Sequence, residues 1–390
     1  MVRAMLGLLV GAGLLSATVL AQTQTPAPLR SAFHDYRVVT VVDALVQPWS
    51  LAFLPGGDTL ITERPGRLRI VRNGKLLPQP VEGVPAVSYA NQGGLLEVAT
   101  HPNFASNRLL YLTFSKPLAD GKEATTALVR GRFENDRLTN VQPLFESVSK
   151  GRGHFGGKIA FDGKGFLFLT LGDRQVPPEG NLEAHPAQDL TNHHGKIVRL
   201  HDDGRVPADN PFVSRAGARP EIWSYGHRNV QGIAIIPETG DVLATEHGPM
   251  GGDELNRILP GLNYGWPVVG FGVNYTTGLA IHKGTMREGM EQPRHVWVPS
   301  IGISGGMIYT GDRFPQWKGN FFTAGMAGQQ LARLTLKGTN VVGEETLVPQ
   351  MGRIRDVRQG LDGYIYLLTE DRDGKPTPVY RLEPVERNTR

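Results

Sequence analysis

Between Trp223 and Pro267 the chain reads WSYGHRNVQGIAIIPETGDVLATEHGPMGGDELNRILPGLNYGWP, a segment with side chains suited to an anion at one point and a cation at another. Arg228 followed by Asn229 sets a planar guanidinium beside an amide, a pair that suits a carboxylate or an anionic oxygen. Further on, Gly248 and Pro249 expose backbone carbonyls, with Asp253 and Glu254 close behind. An oxygen-rich loop without thiols suits calcium better than zinc. His193, His194, His227 and His247 show no spacing that makes a zinc site compelling. In GRIRDV, Arg353 and Arg355 stand two residues apart, on one face of a strand. Three arginines with no acidic excess to neutralise them point to an anionic ligand.

A general base is offered by GRGHFGGK, residues 151–158. Its nominal G-x-G-x-x-G leads into a strand-turn-strand pattern, whereas dinucleotide binding needs a helix N-terminus there, and Lys158 is followed by Ile159, so it is no phosphate loop either. What remains is His154 among glycines that bring the backbone close and leave the imidazole uncovered. An imidazole titrates near neutral pH and suits proton abstraction; the competing reading is a solvated loop histidine. Gln92, before paired glycines in NQGGLLEVATHPNF, either reaches a ligand through its amide or caps a loop. Asp173 in TLGDRQ reads as a turn anchor, and EDRDGK (residues 370–375) as a turn.

These residues need a frame, and a repeated unit supplies it. A Gly-, Asp- or Asn-rich turn precedes a short apolar strand ending in a polar or glycine-rich loop, six times: GGDTLITERPG, SNRLLYLTFS, GKGFLFLTLGD, TGDVLATEHG, KGNFFTAGM and LDGYIYLLTED. Aligned on Leu60, Leu110, Phe168, Leu243, Phe322 and Tyr366, neighbours lie about 44 to 79 residues apart, near or above a propeller blade's roughly 40 to 50. Other β-branched or aromatic runs lie between the copies, and helical periodicity is nearly absent. The pattern predicts an all-β fold, one six-bladed β-propeller of four-stranded antiparallel sheets, rather than a β-sandwich. Corresponding loops then gather at one mouth, where function belongs. Glu238 and Asp241 become turn residues before a blade strand.

Residues 1–21 carry Arg3, an apolar run from Ala4 to Leu20 and a small-residue end, the pattern of a cleaved secretory signal rather than a membrane anchor. Residues 22–35, with Pro26 and Pro28, read as a flexible leader and 36–390 as the propeller domain. A periplasmic or secreted location is therefore expected. The absence of cysteine excludes disulfides, thiolate-bound zinc, iron–sulfur clusters and attached c-type haem. With 41 basic and 37 acidic residues the surface is nearly balanced, so nucleic acid is not an expected partner.

The ordered motifs PWSLAFLPGGDTLITERPGRL, NQGGLLEVATHPNF, HFGGKIAFDGKGFLFLTLGD, YGHRNVQGIA, EHGPMGGDELN, LNYGWP and RIRDV, spread over about residues 38–384, resemble the soluble glucose/sorbosone dehydrogenases, and especially their aldose sugar dehydrogenase branch. The resemblance implies a six-bladed propeller binding pyrroloquinoline quinone (PQQ) and calcium (Ca2+). It implies His154 as the base that takes the sugar's anomeric hydroxyl proton, Arg228 and Asn229 facing the quinone oxygens, and Gln92 and Tyr275 as cofactor contacts. Gly248 and Pro249 would donate carbonyls to the calcium, Glu254 and Tyr264 would hold a further calcium, and Arg353 and Arg355 would stand near the PQQ carboxylates. Aldose sugars and an external electron acceptor are the implied partners, without stable membrane insertion, for a monomer or homodimer. Two departures stand out: Ala327 where glucose-specialised members have a lysine, and Gly153 where they have an acid. The alternative functions are a calcium-dependent lactonase, which needs carboxylates converging on one metal and no arginine cluster, and a non-catalytic sugar-binding propeller.

Overall fold

The computed structural model describes residues 27–119 and 121–386; the secretory signal expected over 1–21 lies outside them. Strands such as Phe166–Leu171, FLFLTL, are apolar on both faces and buried from Leu167 onward, because each sheet is covered on both sides by its neighbours. Edge strands differ: Arg137–Gly151 is mostly exposed and carries Arg137, Glu146 and Lys150. Such strands build six antiparallel sheets, five of four strands and a sixth of five. In sequence order the blades are residues 48–76, 95–151, 159–225, 230–297, 303–347 and 353–385, the last completed by Asp35–Val46 as its outer strand. Helix is confined, among the described residues, to Phe104–Asn107 and three single 3-10 turns.

The six-bladed propeller expected from the repeat is what forms. Leu60, Leu110, Phe168, Leu243, Phe322 and Tyr366 all fall in the second strand of their blade, counting from the axis. Inner strands touch around the ring, and Pro48–Phe53 also meets Arg353–Gln359, which closes it. Near the axis the Lys158 ammonium sits 3.1 Å from both Glu97 and Asp356 and 4.1 Å from the centre of the Trp49 ring, so four blades converge on one buried cation.

Sequence patterning does not show how the ring is sealed. Asp35–Val46 pairs along Pro376–Val385, tying the two ends of the domain into one sheet. The described end of the segment expected as a leader also joins the fold: Leu29–Arg30 pairs with Asp35–Tyr36, adding the fifth strand, and the His34 ring packs edge-on against Phe314 and Trp317. Tyr36 is buried, and its hydroxyl accepts the backbone N–H of Val348 in blade 5 at 3.1 Å. Tyr36→Phe keeps the packing but orphans that buried N–H, so it is expected to cost about 1–3 kcal/mol in chemical denaturation.

Candidate active site

His154 stands in the loop entering the inner strand of blade 3 and has a left-handed backbone, φ 45°. Its Nδ1 lies 2.6 Å from Asp173 Oδ1, and the other Asp173 oxygen accepts the Trp266 indole N–H at 2.8 Å. A carboxylate only accepts, so Nδ1 carries the proton and Nε2 is the basic nitrogen. Among the described residues Nε2 has no protein partner, and His154 lines a cavity. The His154 backbone N–H donates to Gln92 Oε1 at 2.9 Å, which fixes the loop to blade 2. Burial pushes the imidazole below its ordinary range and Asp173 opposes this, while Arg228 adds to the depression. Burial would raise the Asp173 carboxyl, but His154 and Arg228 outweigh it and hold the group low. Packing here is close: a Cβ at Gly172 would lie 2.1 Å from the His154 carbonyl oxygen, so only glycine fits.

The cavity has a volume of about 720 Å³ and draws residues from all six blades. The residue just after the repeated strand, or one to four positions on, lines it in five of them: Arg64, Gln175, His247, Ala327 and Asp371. Arg353 and Arg355 line it too, but their charge is not free. Both pair with Glu370, Arg353 at 2.9 Å and Arg355 at 2.8 Å, which corrects the expectation of arginines without an acid. One carboxylate between two guanidiniums still leaves positive charge. Arg228, over the Trp266 ring at 5.2 Å, has no side-chain carboxylate partner among the described residues. Nor has Arg64, which is clamped by the carbonyls of Asn91 and Gly93. Asn229 Oδ1 accepts from Gly156 N–H at 3.2 Å and from Gln231 at 3.3 Å, and Tyr275 stands exposed on the rim.

The carbonyl loop borders the same cavity. Arg228-Asn229 and Gly248-Pro249 flank a hairpin, Val230–Ile235 paired with Val242–Glu246, so antiparallel pairing returns both to one end. Asp253 holds the Gly248 N–H at 3.0 Å and the Ile303 N–H at 2.9 Å, and a Cβ at Gly248 would lie 2.3 Å from the carbonyl oxygens of Gly251 and Gly252. Behind Pro249 a second space of about 20 Å³ is bordered by Glu246, Glu254 and Tyr264. Glu254 pairs across the strands with Glu246; burial and that neighbour push its carboxyl up to about 8. The Asn256 amide bridges the two carboxylates, 2.9 Å from Glu246 and 3.0 Å from Glu254, and Glu246 also holds His227 at 3.0 Å and the Arg228 N–H at 2.8 Å, so Glu254 is the carboxylate with an oxygen left for a cation. The Tyr264 hydroxyl already donates to Arg257 O at 2.6 Å and accepts Leu259 N–H at 2.8 Å, so its backbone carbonyl is the better donor for a cation. Among the described residues no three His, Asp or Glu side chains converge as a metal site.

Asp173 does anchor a turn, accepting Gln175 N–H at 2.9 Å, yet it also orients His154, a role its sequence position does not reveal. Trp266, Arg64 and Glu370 are likewise site residues that the sequence reading passes over. At Gly153, a Cβ would lie 2.3 Å from the Gln175 amide oxygen, so Gln175 occupies the space beside that departure.

Fold and site together define a propeller with an oriented histidine and a cation-lined pocket at one mouth, a centre built for enzymatic chemistry. The chain belongs to the Glucose / Sorbosone dehydrogenase family, whose model matches residues 45–381. It is 43% identical to aldose sugar dehydrogenase YliI of Escherichia coli, over 87% of this chain and 91% of that protein. The crystal structure of the soluble aldose sugar dehydrogenase from Escherichia coli in the apo-form superposes with a TM-score of 0.84 at 40% identity, covering 90% of this chain and 100% of the other. The PQQ-bound aldose sugar dehydrogenase of Streptomyces coelicolor gives 0.72 at 29% identity, covering 92% and 100%.

Proposed function

We propose that this chain is a PQQ- and calcium-dependent aldose sugar dehydrogenase that oxidises the C1 hydroxyl of aldoses to lactones and hands the electrons to an external acceptor. The observation that carries the reading is the His154–Asp173 pair on the wall of an arginine-lined cavity. PQQ, when bound with calcium, supplies the electron acceptor for the hydride leaving C1. The rest is the work of side chains. His154 Nε2 takes the C1 hydroxyl proton, and Asp173 stabilises the imidazolium that results. Arg353, Arg355 and Arg64 suit the carboxylates of a planar anionic cofactor, and Arg228 with Asn229 suits its ring oxygens. Gln92 and Tyr275 border the same space, and the carbonyls of Gly248 and Pro249 suit a calcium there. Glu254 and the Tyr264 carbonyl suit a second.

The relatives named above support this reading, and the donor set weighs against a lactonase, which would need converging carboxylates where arginines stand. Among the described residues no helix is long and apolar enough to cross a membrane, and a periplasmic or secreted location is part of the proposal. With no cysteine, the chain attaches no c-type haem, so the acceptor is external. The test is reconstitution of purified protein with PQQ and Ca2+, followed by dye reduction on adding glucose, xylose or maltose. Dye reduction that requires both additions is expected. If PQQ fails to bind and no aldose reduces the dye, the proposal fails.

A further inference from the structure

Arg174 follows Asp173 in sequence and is buried, only 4% exposed. Among the described residues its guanidinium forms no ion pair. Instead Nη1 donates to the carbonyls of His154 at 2.7 Å and Gly172 at 3.1 Å, Nη2 donates to Thr126 Oγ1 at 2.7 Å, and the group lies 5.3 Å from the centre of the Phe155 ring. Removing a guanidinium from water without a carboxylate is strongly unfavourable. The fold tolerates it where the chain is already strained, since His154, Arg174 and Gln175 have φ of 45°, 62° and 61°, left-handed values rare in residues other than glycine.

We infer that Arg174 is a positioning residue for the proposed reaction, clamping the His154 carbonyl so that the imidazole stays aligned on Asp173, and placing a fixed positive charge behind the base. It acts through His154 and rests on the reading of that residue as the base. Arg174 lies behind the cavity wall rather than in it, so it is not a ligand contact. Although burial pushes the guanidinium down to about 9, it remains a cation at neutral pH. The charged and titratable groups facing His154 are Asp173, which favours the imidazolium, and Arg228, Arg174 and His247, of which the two arginines disfavour it.

Two substitutions separate charge from geometry. Arg174→Gln removes the charge and most of the clamp; Arg174→Lys keeps the charge but cannot span two carbonyls and Thr126. The first readout needs no turnover: an NMR pH titration of the His154 ring in the full-length protein without cofactor, assigned by the signal lost in His154→Gln. The second is kcat and KM for glucose after reconstitution with PQQ and Ca2+. In Arg174→Gln the His154 midpoint should move to higher pH and kcat should fall about tenfold or more, with KM changing less than about threefold. In Arg174→Lys the retained charge should keep the midpoint from moving to higher pH while kcat still falls at least about threefold. The inference is overturned if the Gln variant leaves the midpoint unmoved, or if the Lys variant keeps wild-type kcat. If Arg174→Gln does not fold, the Lys variant alone decides by its kcat. If wild type itself oxidises no aldose, the dehydrogenase proposal is what fails, and the NMR shift still decides whether Arg174 acts on His154.

Discussion

Replacing His154 by alanine is expected to lower aldose turnover by about 10²- to 10⁴-fold, the usual contribution of a positioned base, while PQQ affinity changes little. The two effects separate because the imidazole is one wall of the cavity, whereas the cations that suit an anionic cofactor come from Arg64, Arg228, Arg353 and Arg355. Turnover is measured with saturating PQQ and Ca2+, and affinity by titrating PQQ absorbance without sugar. The wild-type pH profile carries a second signature. Only the neutral imidazole accepts a proton, and burial depresses His154, so the acid limb of kcat/KM should lie below the ordinary histidine range and the rate should be level through neutrality. A His154→Ala enzyme that turns over at a wild-type rate would remove His154 from the chemistry.

How much of this centre was legible depends on whether the signal is local or global. The blades were readable because each copy repeats one strand, so Leu60 through Tyr366 mark the same position six times. The location of the mouth followed, since polar residues after equivalent strands must gather at one end. Closure was not readable: Asp35–Val46 reads as one more β-branched run, and nothing local says that it pairs with Pro376–Val385 more than 300 residues away. Site residues divide in the same way. Arg228-Asn229 and Gly248-Pro249 are neighbours in sequence whose donor types already suggest their use. Arg353 and Arg355 were readable as a pair, but Glu370, their shared partner, looked like part of a turn, because it meets them only across the sheet. Trp266 lies 93 residues from Asp173, and only the packed propeller brings its indole onto the carboxylate.

Asp173→Asn is the other substitution with a large expected effect, and it discriminates best between a turn anchor and a partner of the base. The asparagine is nearly isosteric and its amide oxygen can still accept the Trp266 indole N–H, but His154 Nδ1 and Gln175 N–H share the other oxygen position, so an NH2 there leaves the Gln175 N–H without its acceptor. Facing His154, however, the amide can turn its NH2 toward Nδ1, which must then accept, and the ring proton moves to Nε2. A nitrogen that already carries its proton cannot take another from a sugar hydroxyl. Turnover should therefore fall about 10²- to 10⁴-fold, the scale on which such tautomer errors and lost bases operate, while the orphaned Gln175 N–H costs only about 1–3 kcal/mol of stability. The charge effect has a definite sign as well. Asp173 raises the His154 imidazole against burial, so its loss depresses the ring further and shifts the His154 NMR titration to lower pH. Arg174→Gln should shift it the other way. Opposite movements from adjacent substitutions cannot come from a general loosening of the loop, which would move both toward the solvent value; they require both side chains to act on one ring. An Asp173→Asn enzyme of near wild-type rate would leave Asp173 as the turn anchor it resembles in sequence.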